Sequence, residues 1–407
     1  MVNGVQQQSG ISVNDFVNEV SYTFIGKNGN KKDVKVKIVW TTAEVPHIQI
    51  TTAGGEAISS RENYLQATVS IDGKGRYLDF SGSTEVKGRG NSTWAYPKKP
   101  YRLKLNSKSE ILGMGSAKNW VLLANYLDPS LMSNAVAMKI GQDLEVPFTN
   151  TIIPVDLTVN GVYKGSYVLT QQIEVQDNRV NIGKDGYLLE LDTYFDETYK
   201  FYSTGYSLPV MIKEPELEGS SEITPLKTQF DTFEALIKGA SFPNNNYGDY
   251  FDKDVFARYI LVYFLAGNEE INHPKSVYMH KKAGGKFTFG PLWDFDWAYG
   301  YEGSGIHFTN PNRPLFWSGT NKGTVFLKRL FEDPEVQVAF KKHWTNYKER
   351  HMSQLIHYID AYASLIKTSK SRDYAVWGRG KDFEAEVGKL KKYIQDRALY
   401  IDRFVQF

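Results

Sequence analysis

The stretch KSVYMHKKAGGKFTFGPLWDFD, residues 275–296, decides how this chain is read. Two short apolar runs flank Gly284-Gly285, the pattern of a β-hairpin, inside a half of the chain whose other patterns are helical. A polar loop, GNEEINHP (267–274), leads into the hairpin, and two acids set between Trp293 and Trp297 follow it. An unpaired carboxylate is costly in so apolar a setting. Asp294 and Asp296 therefore call for a partner: a metal ion, or a donor such as a neighbouring indole N–H.

Upstream, the pattern from Val20 to about Leu105 is one of strands and turns. EVSYTFIGKNGNKKDVKVKIVW (19–40) alternates apolar and polar residues on both sides of GKNGN, and Asn160-Gly161 marks a second hairpin. In YRLKL, Tyr101, Leu103 and Leu105 share one face, which sends Arg102 and Lys104 to the other. One helix interrupts the strands, with Asp128 as its expected N-cap and Pro129 as its first residue. After about residue 221, helices are expected over 223–239, 252–266, 335–348, 351–367 and 383–404. The fold class is therefore α+β, as two independent domains or as the two lobes of one enzyme.

Bulk properties exclude several functions. The 48 basic and 46 acidic residues leave a formal charge of +2, which argues against a nucleic-acid groove. With no cysteine, there can be no disulfide, thiolate zinc site or thiol nucleophile. The most apolar stretch, VFARYILVYFLAG (255–267), contains Arg258 and is shorter than the roughly 20 residues of a spanning helix, so membrane insertion is not expected. The N-terminal MVNGVQQQSGIS has no signal-peptide pattern. The seven histidines lack metal-ligand spacing, and His273, before Pro274, is expected to bond locally.

A loop, a small hairpin and a second, acidic loop form the order in which protein kinases present a base and a magnesium-binding Asn, then the Asp that holds magnesium on the phosphates. Here Glu269, Glu270 and Asn272 stand on the first loop and Asp294 on the second. Carboxylate and amide oxygens are the hard ligands magnesium takes. Lys104 has the strand setting of a phosphate-pairing lysine. Glu270 or Glu269 would orient or deprotonate the acceptor hydroxyl. Two other readings stand beside this one. One is a kinase scaffold without activity that binds protein or carbohydrate at a cell surface, its Trp and Tyr serving as a stacking platform. The other is a glycosidase using Glu270 and Asp294, which leaves Lys104 and the GRGNSTW loop without a task.

VKGRGNSTWAYPKKPYRLKL (86–105), WVLLANYLDPSLMSNAVAMKI (120–140), VNGVYKGSYVLTQQIEV (159–175) and GPLWDFDWAYG (290–300) together resemble the spore coat protein H (CotH) family of atypical protein kinases. The resemblance implies a kinase-like two-lobed fold: a strand extension over 1–44, a β-rich N-lobe over 45–175 and a mainly helical C-lobe over 176–407. It further implies ATP with magnesium or manganese, transfer to Ser or Thr of protein substrates, and a place at a spore coat or cell surface. Carried over by position, Lys104 is the nucleotide lysine and Asp294 the metal-binding acid. Asp296 takes a second-metal position, and Arg89 and Asn91 belong to the signature loop near phosphate. The chain departs from the family in having no Asp between Asp254 and Asp294, so Glu270 or Glu269 stands where an Asp is expected.

Overall fold

The computed structural model describes residues 1–8, 12, 14, 19–36 and 44–406. They form two compact units, Met1–Glu44 and Val45–Phe407. In the first, β1 (Val20–Ile25) and β2 (Lys31–Val36) pair antiparallel, with Ile25 opposite Lys31 across the GKNGN turn. The turn closes through Gly26 N–H donating to the Asn30 carbonyl at 2.8 Å. The expected continuation of the second strand over 37–40 lies outside the described residues.

The second unit begins with a closed barrel. Its strands are β3 (His47–Thr52), β4 (Leu65–Asp72), β5 (Phe80–Gly88), β6 (Tyr101–Glu110), β7 (Ser116–Leu123), β8 (Ile152–Val159) and β9 (Val162–Gln171), in the order β3-β4-β5-β6-β7-β9-β8. All neighbours are antiparallel except β3 and β8, whose parallel pairing, His47 opposite Asp156, closes the ring. Alternation fills the interior: Val86, Leu103, Trp120, Leu157 and Leu169 are each fully buried, and closure removes the unpaired edges an open sheet would expose. On β6, Tyr101, Leu103 and Leu105 point inward as expected, with Lys104 exposed on the outer face.

Between β7 and β8 lies α1 (Ser133–Asp143). The helix does not begin at Pro129: Leu131 has φ 59°, which breaks a right-handed turn. Asp128 still serves its start, accepting from Ser130 N–H at 2.8 Å and Ser133 N–H at 2.7 Å. Although it falls among the strands in sequence, α1 packs into the large apolar core shared with the helices that follow.

Beyond the barrel, β10 (Tyr187–Leu191), β11 (Lys200–Tyr202), β12 (Pro209–Glu214), β13 (Val277–Lys281) and β14 (Thr288–Phe289) form a sheet ordered β11-β12-β10-β13-β14. Around it stand α2 (Ile223–Lys238), α3 (Lys253–Ala266), α4 (Lys322–Phe331), α5 (Pro334–Arg350), α6 (Met352–Trp377) and α7 (Phe383–Phe404). Asp252, Asp333 and Asp382 cap α3, α5 and α7 with their carboxylates. Among the described residues no helix is long and apolar enough to cross a membrane.

Helix α6 runs past its expected end at 367 because its last turns bury polar residues against the barrel. Asp373 takes the Lys98 Nζ at 2.6 Å and Ser166 N–H at 2.9 Å. Ser369 Oγ donates to Asp156 at 2.6 Å, and Arg372 pairs with the same carboxylate. These polar contacts tie barrel to helices, and they hide the helix from an apolar-periodicity reading. Helix α4 also escapes that reading. Its second residue is Gly323, where a Cβ would stand 2.3 Å from the Ile271 carbonyl oxygen.

Candidate active site

The loop after β14 brings its acids to a cleft of about 510 Å³, lined on one side by barrel loops and on the other by β10, β12 and β13. Asp294 has φ 57°, a left-handed conformation that a short polar residue tolerates better than a branched one. The peptide group joining it to Phe295 is held on both edges. Asn268 Nδ2 donates to the Asp294 carbonyl at 3.0 Å, and Phe295 N–H donates to Asn134 Oδ1 at 2.9 Å. Asn134 also donates to the Asp296 carboxylate, and His307 Nε2 donates to the Asp296 carbonyl at 2.8 Å.

Burial pushes the Asp294 carboxyl up from its ordinary range, against the opposing pull of Arg89. Asp296 is pushed up to about 8, by burial first and then by Asp294 and Asp128. Asp192, at the end of β10, is also raised by burial, although its carboxylate accepts from Tyr194 N–H at 2.7 Å and Ser276 N–H at 2.9 Å. Three carboxyls of the cleft lining are thus raised by burial. Buried acids in a cleft, raised chiefly by burial, mark a place where a cationic ligand gains most.

The barrel contributes the cations. In the GRGNSTW loop, Gly88 and Gly90 allow close packing: a Cβ on Gly88 would meet the Trp94 ring at 2.3 Å, and one on Gly90 would meet Thr93 Oγ1 at 2.0 Å. Arg89, between them, lies over the Trp293 ring at 5.4 Å. Burial lowers its proton affinity, and Asp294 is the strongest charge opposing that shift. Arg61 Nη1 holds the loop from outside, donating to the Gly90 carbonyl at 2.9 Å and Asn91 Oδ1 at 3.0 Å. Asn91 Nδ2 reaches across to Asp196 Oδ2 at 3.3 Å.

The loop before the hairpin forms a short 3₁₀ turn, Glu269–Asn272. Asn268 caps it by accepting from Glu270 N–H at 3.0 Å. Glu270 is 8% exposed, and its Oε2 has no hydrogen-bond partner. Burial, then Asp294, raises its carboxyl well above the usual range. It lines a recess of about 230 Å³ that also contains Trp297, Tyr301 and Arg313.

The model of the CotH family, described as CotH kinase protein, matches residues 86–401. The chain belongs to the CotH family. A search of curated proteins gave no match. The matched span runs from β5 to α7 and includes every loop that lines the cleft from the GRGNSTW segment onward.

Set against this geometry, the residues singled out in the CotH chain divide into two groups. Arg89, Asn91, Asp294 and Asp296 line the cleft, and Glu270 borders it electrostatically through Asp294. Lys104 and Asn272 are not brought to the cleft lining. Lys104 is not among the cleft-lining residues: its side chain is 49% exposed and pairs with Glu85 Oε2 at 3.3 Å on the neighbouring strand. Strand alternation that buries Leu103 inside the barrel sends Lys104 to its outer surface.

Asn272 is fully buried, its Nδ2 donating to the carbonyls of Glu269 and Leu315 at 3.0 Å each and its Oδ1 accepting from Thr324 Oγ1. It anchors α4, and its oxygen is turned to that hydroxyl rather than to a metal position. Glu269 is likewise engaged, with Arg313 at 2.9 Å. Among the described residues no three Asp, Glu or His side chains are grouped closely enough to hold a metal ion by themselves.

The sequence reading missed Glu190, Asp192 and Lys213. Lys213 donates to Glu190 at 3.1 Å and to Glu197. Burial alone would lower its proton affinity, but Glu190 and Glu197 outweigh that and raise it. Charges inside the otherwise apolar runs YLLELD and PVMIKE were the available signal, since a strand charge between two buried neighbours calls for a partner.

Proposed function

We propose that this CotH-family chain is an atypical, two-lobed protein kinase. The N-lobe would be 45–175 and the C-lobe 176–407, with 1–44 as an extension. It would transfer the γ-phosphate of ATP to Ser or Thr of proteins at a spore coat or cell surface. The observation that carries the reading is the cleft in which Arg89 of the GRGNSTW loop faces Asp294 of the WDFD loop. Family membership supports the same class of chemistry.

The donor set suits magnesium or manganese. Asp294 offers a carboxylate whose burial is not fully compensated. Magnesium is commonly held by only one or two protein carboxylates, with substrate phosphates and water completing its shell, so a three-acid cluster is not required. Asp294 would be the principal ligand and Asp296 the second. When bound, the ion supplies neutralisation of phosphate charge.

The remaining work falls to side chains. Arg89 and Arg61 present guanidinium groups suited to phosphate oxygens. Asn91 fixes the loop that carries Arg89. Glu270 receives the proton of the acceptor hydroxyl as its oxygen attacks the γ-phosphorus and the bond to ADP breaks. Burial and then Asp294 raise its proton affinity above that of an ordinary carboxylate, the direction a general base calls for.

Incubation with labelled ATP, magnesium and a Ser-rich protein such as casein tests the reading. Wild type is expected to transfer label, and Asp294→Ala to lose activity by at least about a hundredfold while remaining folded. A wild type that neither transfers phosphate nor is stabilised against heat by ATP and magnesium sinks the proposal.

A further inference from the structure

The peptide group between Asp294 and Phe295 has an unusual environment for a loop. Its carbonyl is taken by Asn268 and its N–H by Asn134, two side chains that are 1% and 2% exposed and come from different elements. Each asparagine uses its other amide atom on a second acid of the site. Asn268 Oδ1 accepts from Glu270 N–H at 3.0 Å, and Asn134 Nδ2 donates to the Asp296 carboxylate. The residue ahead of this peptide has the left-handed φ of 57°.

We infer that Asn134 and Asn268 are paired positioning residues, which clamp the 294–295 peptide from both edges and so fix the direction of Asp294 and its spacing from Glu270. A primary amide side chain donates and accepts at once in one small rigid plane. Asp in either place would lose its donor, and Ser could not span two partners. Clamping both edges of one peptide restricts its rotation, which turns about the Asp294 Cα–C and Phe295 N–Cα bonds, and so fixes how the backbone leaves Asp294 toward Phe295. The same plane ties the loop bearing Glu270 to the loop bearing Asp294, so the two carboxylates cannot drift independently. Placement at the level of about 1 Å governs phosphoryl transfer, because misplacement on that scale costs on the order of a hundredfold in rate.

The functional half of this inference rests on the kinase reading; the conformational half does not. The test uses the full chain as wild type, Asn134→Ala, Asn268→Ala and the double variant. Expected are folded proteins in which each single substitution lowers kcat for labelled-phosphate transfer on the order of a hundredfold. KM for ATP should stay within a few-fold, and the double variant should be little worse than the weaker single, since either loss frees the same peptide. Losses that multiply in the double variant, or lower thermal stability with unchanged kcat, overturn the clamp.

If wild type transfers no phosphate, the kinase reading fails separately, and a crystal structure of Asn268→Ala decides the clamp. A 294–295 peptide turned about the Asp294 Cα–C bond supports it. That peptide unturned, with the Asp294 carboxylate still in the cleft, overturns it. Should Asn268→Ala not fold, Asn268→Ser is examined by the same measurements and under the same outcomes.

Discussion

Two cations from one twenty-residue stretch meet acids from far along the chain, with opposite results. Lys98 is 1% exposed, and its Nζ donates to Asp373 at 2.6 Å and the Ser166 carbonyl at 2.5 Å. Arg89 faces Asp294 across the cleft from its seat on Trp293, with no close ion pair to a described residue. A buried charge with all its partners in place is a fastening between barrel and α6. A cation and an acid gathered in one cleft without a close ion pair between them are available to something else. Partner count, more than burial, separates structure from function here.

That contrast can be broken at either end. Lys98→Met should give the largest effect, because removing one member of a buried pair strands Asp373 in the interior at a cost of about 3–5 kcal/mol. Denaturant or thermal unfolding measures it, and a loss under about 1 kcal/mol would mean that the pair fastens nothing. Arg89→Ala should leave stability nearly unchanged and weaken ATP binding about tenfold or more, the loss of a charge-assisted hydrogen bond. Calorimetric titration with ATP and magnesium reads it, and unchanged affinity would place the phosphates elsewhere.

The acid side of the cleft sharpens the comparison through pH. The Asp296 carboxyl is raised from 3.8 to about 8, so between those values the folded chain holds a proton that the unfolded chain has released. Stability from this group is therefore full below about pH 4 and lost as pH rises toward 8. Asp296→Asn should remove that slope and melt about 2 °C above wild type at the alkaline end. Equal melting temperatures across the range would show Asp296 fully compensated by its neighbours. Least of all, Lys104→Ala should leave ATP affinity within about twofold and cost under about 1 kcal/mol, as for other exposed pairs. A large loss of ATP binding would return Lys104 to the site.

Much of the fold is legible because the signals are local. The hairpins at Asn160-Gly161 and Gly284-Gly285, and helix α7 from Phe383 to Phe404, rest on turn chemistry and on apolar periods that act within a dozen residues. The acids of WDFD stand out because charge between tryptophans is costly wherever it occurs. Where burial is achieved by polar pairing, the signal is lost. The last turns of α6 are hidden by Ser369, Lys370 and Asp373, all buried, and the cleft residues Glu190 and Lys213 sit in strands that otherwise read as plain core.

By itself, the amino-acid order determined the α+β class, the two tryptophan-bracketed acids and the glycines that let the Arg89 loop pack closely. Only tertiary structure decided that β3 closes on β8, more than a hundred residues away. Closure sends Lys104 to the outer face and leaves Arg89 opposite Asp294. It was tertiary structure, too, that saturated Asn272 with protein partners while leaving Glu270 Oε2 unpaired. The reason is the range of the forces. Side-chain alternation and turn preference act between neighbours, whereas the worth of a buried charge depends on which distant groups the chain brings within reach.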